Sequence, residues 1–346
     1  MLFYAQLMEI THMGKKALLL GAGGPLGGLE AGALIALDEM GVKFDVVAGA
    51  CIGSILTLAY SSPAKGFTPR EALENWVKYS GVSDAIYDNL PVDYKIFQKD
   101  AGALSDIWEK WANFMLTNNP FIQTYPQNAY QQYITDLYFL WLTMWAPTTL
   151  NPKSKSLSRI TRQLQFMIDF DNLKNCEHDV YINALNITDK DVTLFNKDEI
   201  TVEHVAAGSS LYHIASPTKI GDKVYAEGSY IDCINYEGVL KEHEDIDTIV
   251  IMNILNKRAL IREPRDLMDA YNLSIMLPFV TIAEDDTKIF EVKYKGDRNL
   301  LKVQFEIPDH HAPKACDWSV SNFKTLRDIG YKAGKEFYQN NKHLLE

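Results

Sequence analysis

The chain has 346 residues, of which 47% are hydrophobic and 23% are charged, and its formal net charge is -11. This composition is typical of a globular protein with a sizeable core, and it excludes a disordered or membrane-spanning chain. The acidic charge and the lack of a basic stripe in the sequence argue against nucleic-acid binding. The four cysteines show no disulfide-framework spacing, which predicts a reducing, cytoplasmic location.

The start of the chain does not predict a targeting segment. Its first 13 residues, MLFYAQLMEITHM, contain no basic n-region and no long apolar stretch. We interpret residues 1–12 as a short extension before a functional start at Met13. We expect a single domain over residues 1–346, since no internal repeat or low-complexity segment divides the sequence.

A strand, a glycine-rich turn and a helix are predicted next. Residues 16–20 (KALLL) have the apolar run of a buried strand, and GAGGPLGG follows at 21–28. Apolar residues then recur at helical spacing, and Gly41 is placed to end the helix. Because backbone amides in such a turn are free of side chains, those of Gly23 and Gly24 are candidate donors to an oxyanion.

The same turn has a second interpretation as a dinucleotide-binding loop. That fingerprint needs a third glycine, where this chain has Leu26. It also needs an acidic residue at the end of the second strand, where this chain has a different motif. The dinucleotide interpretation is therefore disfavoured.

The second predicted strand runs into a motif with a cysteine at its centre. FDVVAGACIGS, at 44–54, places Cys51 in the middle of GACIG. This is the spacing of a nucleophile elbow, in which small residues allow a tight turn from strand to helix. The helix that follows would favour a thiolate at its N-terminus, and the amide of Ile52 is a third candidate oxyanion donor. The alternative role for Cys51 is that of a small buried hydrophobic residue.

Residues 67–165 predict a helical insertion that is rich in aromatic residues and holds five of the six tryptophans. Its segment 137–146 (LYFLWLTMWA) is almost wholly apolar, but it is shorter than the roughly 20 residues that span a membrane. The segment is either a buried core helix or the wall or lid of an acyl site. In the second case Trp141 and Trp145 contact the substrate.

A candidate carboxylate lies in the block AAGSSLYHIASPTKIGDKVYAEGSYIDCIN at 206–235, where Glu227 precedes a glycine and a serine. His213 lies in the loop before it. One hypothesis is a triad with Cys51 in which His213 is the base and Glu227 orients it. A loop histidine without a catalytic role is the alternative for His213. The histidines show no metal-ligand spacing, and no metal is expected.

The rest of the chain predicts further sheet and its cover. Residues 180–185 and 248–252 have the short apolar pattern of buried strands, and residues 301–307 alternate like an edge strand. An amphipathic helix that packs on the sheet is expected from Ser321 onwards.

The segment LLLGAGGPLGGLEAGALIALDEMGVKFDVVAGACIGSILTLAY, at 18–60, resembles the opening of patatin-like phospholipases. The block at 206–235 is similar to that family's second motif, which ends in Asp-Gly-Gly or Asp-Gly-Ala, and Glu227 takes the aspartate position. The resemblance implies a three-layer α/β/α fold with a nucleophile and carboxylate dyad. No cofactor is expected.

Four residues depart from the family pattern. Cys51 replaces serine, Glu227 replaces aspartate, Leu26 replaces the basic residue of the glycine loop, and Tyr212 replaces a proline. One interpretation is a catalytically silent lipid-binding or scaffold protein. The other is an enzyme with altered chemistry, which is favoured because cysteine and glutamate keep the chemical type of the residues they replace.

The sequence thus predicts an acyltransferase or acyl hydrolase that forms an acyl thioester at Cys51. Its expected substrates are lipid-like, aryl or alkyl acyl esters or thioesters. Transfer competes with hydrolysis because amines and thiols attack thioesters readily. Contact with a membrane surface through an apolar patch, or with an acyl carrier, is left open, as is the oligomeric state.

Overall fold

A mixed β-sheet forms the centre of the protein in the computed structural model, which describes residues 14–89, 103–117, 128–145, 164, 166–212, 217–255, 257–294 and 296–346. In these ranges the sheet has eight strands. The strands are β1 (Lys15–Leu20), β2 (Val46–Gly49), β3 (Asp179–Asn186), β4 (Asp191–Asn196), β5 (Thr218–Ile220), β6 (Lys223–Glu227), β7 (Ile246–Met252) and β8 (Asn299–Lys302).

Helices cover both sides of this sheet, as the α/β/α prediction requires. They are α1 (Gly27–Glu39), α2 (Ile52–Ser61), α3 (Pro69–Tyr79), α4 (Asp84–Tyr87), α5 (Ala103–Thr117), α6 (Ala129–Trp145), α7 (Val202–Gly208), α8 (Tyr236–Glu242), α9 (Lys257–Leu260), α10 (Leu267–Lys293) and α11 (Val320–Leu345). None of the described helices is long and apolar enough to cross a membrane.

The order of the strands brings two distant parts of the chain together. Strands β3, β2, β1, β7 and β8 are parallel neighbours, whereas β4 and β6 pair with β3 in the antiparallel direction. Strand β2 pairs with the first half of β3, up to Gly49 opposite Ile182. On that same edge β6 pairs with the second half, with Glu227 opposite Ala184. The C-terminal ends of β2 and β6 therefore meet beside β3.

Glycines allow α1 and α11 to pack at very short range. A Cβ atom on Gly32 would collide with the carbonyl oxygen of Arg327, and one on Gly330 would collide with that of Leu29. The backbones themselves are thus in contact, which no other residue type would allow. This contact fixes the helix after the glycine-rich turn against the end of the chain.

Most predicted elements lie where the sequence places them, but the last strand does not. Strand β8 covers residues 299–302 rather than 301–307. Val303, Phe305 and Ile307 are buried and the residues between them are exposed, so the alternation is real. Because β8 pairs with β7 only as far as Ile251, and β7 ends at Met252, an extended segment without a partner strand follows.

Two groups of helices occupy the predicted insertion. Helix α3 lies in the core, where the ring of Trp76 is 2% exposed and packs 5.0 Å from the ring of Phe323. Helices α5 and α6 carry an aromatic cluster in which Trp111 lies 5.5 Å from Trp141. Helix α6 is tied to the body by Gln132, which donates to the carbonyl of Gly81, and by Asp136, which accepts from the amide of Ser83.

Candidate active site

Cys51 lies on a tight turn between β2 and α2. Its backbone has φ 53° and ψ -120°, a left-handed conformation that is strained for a residue with a side chain. Glycines on both sides make the turn possible. A Cβ on Gly49 would collide with the carbonyl oxygen of Gly53, and one on Gly53 would lie 2.6 Å from that of Leu20. This is the tight strand-to-helix turn that the sequence predicts, and Cys51 at its centre is half-buried.

Glu227 ends β6 and is completely buried beside the elbow. Its carboxyl group lies close enough to the Cys51 thiol for each to shift the pKa of the other. Ser229 donates its amide at 3.3 Å and its hydroxyl at 2.9 Å to Oε1 of Glu227. Oε2 of Glu227 has no hydrogen-bond partner among the described residues.

Burial controls the acidity of both groups. It raises the pKa of the Glu227 carboxyl to about 7, although its contacts with Cys51 and Ser229 act in the opposite direction. Burial also raises the pKa of the Cys51 thiol well above its ordinary value, and the negative charge of Glu227 raises it further. Both effects oppose the resting thiolate that the sequence predicts at the helix N-terminus. The site favours a thiol beside a carboxylate that titrates near neutral pH.

Backbone amides of the glycine loop and of the elbow lie near the sulfur. Those of Gly23 and Ile52 lower the pKa of the Cys51 thiol and so partly offset the effect of burial. Gly24 lines the same pocket as the thiol, and its φ of 53° requires glycine or a strained residue. The structure thus brings the three residues predicted as oxyanion donors together with Cys51 and Glu227.

An apolar pocket opens at this pair. Its empty volume is about 640 Å³, a figure that includes open solvent at its mouth. Most of its wall is hydrophobic, from Ile55, Trp76, Leu164, Met167, Leu211 and Trp318. The polar side chains in the wall are Ser80, Ser209 and Glu227, and Oγ of Ser209 has no hydrogen-bond partner in the described part of the protein.

Of the other predicted site residues, the structure describes the side chain of Trp141 but not those of His213 and Trp145. His213 is outside the described residues, as is the side chain of Trp145, so both assignments stay predictions. Trp141 is 42% exposed, packs on Trp111 and Tyr138, and is not among the pocket-lining residues. Leu26, which replaces the family's basic residue, is fully buried in the core. Within the described ranges no group of three or more acidic, histidine or cysteine side chains is arranged to hold a metal ion.

Sequence reasoning missed three residues of this site. Trp76 and Trp318 enter the pocket from distant segments, and no local motif marks either one. Ser229 had a signal: the family motif carries glycine or alanine there, whereas this chain carries a hydroxyl group that holds the longer glutamate.

Comparisons with known structures show low sequence identity. VipD from Legionella pneumophila is 13% identical with a TM-score of 0.41, over 95% of this chain and 67% of that one. Human GIVD cytosolic phospholipase A2, solved with methyl gamma-linolenyl fluorophosphonate, is 9% identical with a TM-score of 0.44, over 96% of this chain and 58% of that one. No curated protein sequence matches the chain.

A family model gives the stronger result. The model described as patatin-like phospholipase matches residues 18–240. That range contains the glycine loop, the elbow and the strand that ends in Glu227, and it covers more than half of the chain. This protein therefore belongs to the patatin-like phospholipase family, whose members are lipid acyl hydrolases.

Proposed function

We propose that this protein transfers acyl groups through a thioester at Cys51, with Glu227 as the general base. The close approach of the Cys51 thiol and the buried Glu227 carboxyl, which line the same apolar pocket, is the observation that carries this proposal. The substrate class is a lipid-like acyl ester or thioester, because the pocket wall is apolar and Glu227 is the one charged residue among its described lining residues.

The first half-reaction acylates the enzyme. Glu227 accepts the thiol proton while the sulfur attacks the acyl carbonyl carbon, whose π electrons move onto oxygen. Amides of Gly23, Gly24 and Ile52 stabilise this oxyanion. When the tetrahedral intermediate collapses, the bond to the leaving group breaks, and the leaving oxygen or sulfur takes the proton from Glu227.

The second half-reaction releases the acyl group. Glu227 removes a proton from water, an alcohol or an amine, which attacks the thioester carbonyl and displaces the Cys51 sulfur. The sulfur then regains a proton from Glu227. Hydrolysis and transfer differ only in the acceptor. The unpartnered Ser209 hydroxyl in the pocket wall supports an acceptor with a hydrogen-bonding group.

A silent lipid-binding protein is the second candidate. It is favoured by the raised pKa of the Cys51 thiol and by the buried Leu26 in place of a loop cation. Both features weaken the stabilisation of negative charge at the site. A mechanism that needs a stable thiolate before the substrate binds is disfavoured by both features. A mechanism in which the thiol loses its proton only during its attack on the substrate is disfavoured less.

Intact-protein mass spectrometry separates the two candidates. The protein is incubated with acyl esters and acyl thioesters, with Cys51→Ala as the control. A mass increase equal to one acyl group, absent in the control, is the expected result. If the native protein gains no acyl group from any donor, the silent candidate is favoured. With an adduct in hand, adding amine or alcohol acceptors shows whether transfer outruns hydrolysis.

A further inference from the structure

Trp318 reaches the pocket from outside the range that matches the family. It is the one described pocket-lining residue beyond residue 240. Its ring lies against the glycine loop: a Cβ on Gly24 would be 3.4 Å from Cζ2 of Trp318. The preceding residue, Gly23, lies close enough to Cys51 for its amide to lower the pKa of the thiol. The indole therefore stands close to the reacting carbonyl rather than at the far end of an acyl chain.

The backbone that carries Trp318 is firmly held. Its carbonyl accepts a 2.7 Å hydrogen bond from the amide of Val82, and Val82 forms a bridge with Ser319. The neighbouring Asp317 carboxylate is buried and accepts bonds of 2.6 and 3.3 Å from Arg265. Asn322 donates to the carbonyl of Asp317 at 2.7 Å. Because these hydrogen bonds fix the backbone on both sides of Trp318, this part of the pocket wall does not move aside for a bulky ligand.

The ring itself has a packed side and a free side. It meets the ring of Phe323 edge-on at 6.0 Å and is half-buried, with its remaining surface at the pocket. The other tryptophan in the wall, Trp76, is 2% exposed and belongs to the core. Trp318 can therefore be changed with less damage to the fold than Trp76.

We propose that Trp318 determines acyl specificity by limiting the bulk next to the carbonyl, so that the enzyme accepts straight acyl chains and rejects α-branched ones. This inference rests on the proposed acylation of Cys51. One extra methylene against a rigid apolar wall changes discrimination by roughly 10- to 200-fold. Trp318 lies outside residues 18–240, the range that matches the family, whereas Cys51 and Glu227 lie within it.

Isomeric donors test the proposal directly. Octanoyl and 2-ethylhexanoyl thioesters of the same small thiol have equal carbon counts and differ only in branching. The native enzyme should prefer octanoyl by its ratio of kcat/KM values. In Trp318→Ala that ratio should fall at least about tenfold, and Trp318→Phe should give an intermediate value. The Phe variant keeps the test decisive if thermal unfolding shows that the Ala variant does not fold.

Two controls separate a pocket effect from a general loss of activity. Trp111→Ala removes a tryptophan that is 40% exposed and does not line the pocket, and its ratio should equal the native one. Asp317→Asn removes the negative charge that pairs with Arg265 and so loosens the backbone next to Trp318. Its ratio of kcat/KM values should change in the same direction as that of Trp318→Ala. A native ratio in both Trp318 variants, with turnover intact, overturns the proposal and leaves the proposed function standing.

A binding experiment separates failure of this proposal from failure of the proposed function. Nonan-2-one and 3-ethylheptan-2-one are isomeric methyl ketones that carry the two chain shapes and no leaving group. Their Kd values are measured by calorimetry on Cys51→Ala with and without Trp318→Ala. If Trp318→Ala shifts the Kd ratio towards the branched ketone but the native enzyme shows no turnover, the role of Trp318 in limiting bulk is supported and acyl transfer is rejected. If Trp318→Ala leaves the Kd ratio unchanged, the proposed role of Trp318 is contradicted.

Discussion

Two substitutions at the level of single residues define this site. By the resemblance of their motifs to those of the family, Cys51 and Glu227 take positions where the family carries serine and aspartate. A sulfur atom is larger than oxygen and its thiol is easier to deprotonate than a hydroxyl, so a weaker base suffices. The longer glutamate is held in place by Ser229. The two changes are consistent with each other.

Glu227→Gln should lower the rate of Cys51 acylation by about 100- to 10,000-fold, the usual effect of removing a general base. Glutamine keeps the shape and still accepts from Ser229, but it cannot take the thiol proton. The rate is measured by quenching the reaction with an acyl thioester at set times and weighing the protein. Equal rates in both proteins would remove Glu227 from the mechanism.

The same variant should be more stable than the native protein at pH 8. Burial raises the pKa of Glu227 from about 4.5 to about 7, so the folded state binds more protons between these values. Stability is therefore fully present below about pH 4.5 and falls as the pH rises through 7. Glutamine cannot ionise, so the variant avoids the cost of a buried charge. Its free energy of unfolding should therefore exceed that of the native protein by up to about 3 kcal/mol at pH 8. Urea unfolding at pH 5 and pH 8 checks this, with a larger gain expected at pH 8.

Ser229→Ala should move the pH dependence of acylation upwards. The hydroxyl and amide of Ser229 lower the pKa of Glu227, so loss of the hydroxyl raises it. The midpoint should shift by roughly 0.5 to 1 pH unit, since one hydrogen bond contributes about 0.5–1.5 kcal/mol. Activity at pH 6.5 falls while activity at pH 9 is retained. A uniform loss at every pH would instead indicate a structural role for Ser229.

At the level of elements, the meeting of β2 and β6 on one edge of β3 brings Cys51 and Glu227 together. Local patterns predict the strand before the elbow and the helix after it, because glycines and apolar runs act over a few residues. The pairing that sets Glu227 opposite Ala184 involves strands some 40 residues apart in the chain. Hydrophobic patterns do not encode such a register, so the sequence alone placed Glu227 in the site only through its resemblance to the family motif.

The glycine contact between α1 and α11 can be tested by mutation. Gly32→Ala should destabilise the protein by about 1–3 kcal/mol, because the added methyl group meets the backbone of Arg327, which cannot rotate away. Gly238→Ala in α8 is the matched control, since its methyl group would meet only the flexible side chain of Leu194, at 3.2 Å. Denaturant unfolding compares the two, and equal effects would show that the helices can separate without cost.

At the level of the whole molecule, the pocket is assembled from segments that are far apart in sequence. Cys51, Met167, Glu227 and Trp318 come from four different regions and meet only in the folded chain. The α/β/α class and the proximity of Cys51 and Glu227 could be predicted from the sequence because short motifs carry them. The residues of the pocket wall could not be predicted in this way. An apolar residue that lines a pocket has the same local sequence pattern as an apolar residue of the core. The prediction that Trp141 lines the pocket relied on composition alone.

The most direct test of the account is time-resolved mass spectrometry of the Cys51 peptide after mixing with an octanoyl thioester at pH 6 and at pH 8. The account predicts acylation of Cys51 that is faster at pH 8, because Glu227, with a pKa of about 7, must be ionised to accept the thiol proton. The difference should disappear in Glu227→Gln. Absence of acyl Cys51 at both pH values, or equal rates in the native protein and Glu227→Gln, would contradict a Cys51 and Glu227 dyad.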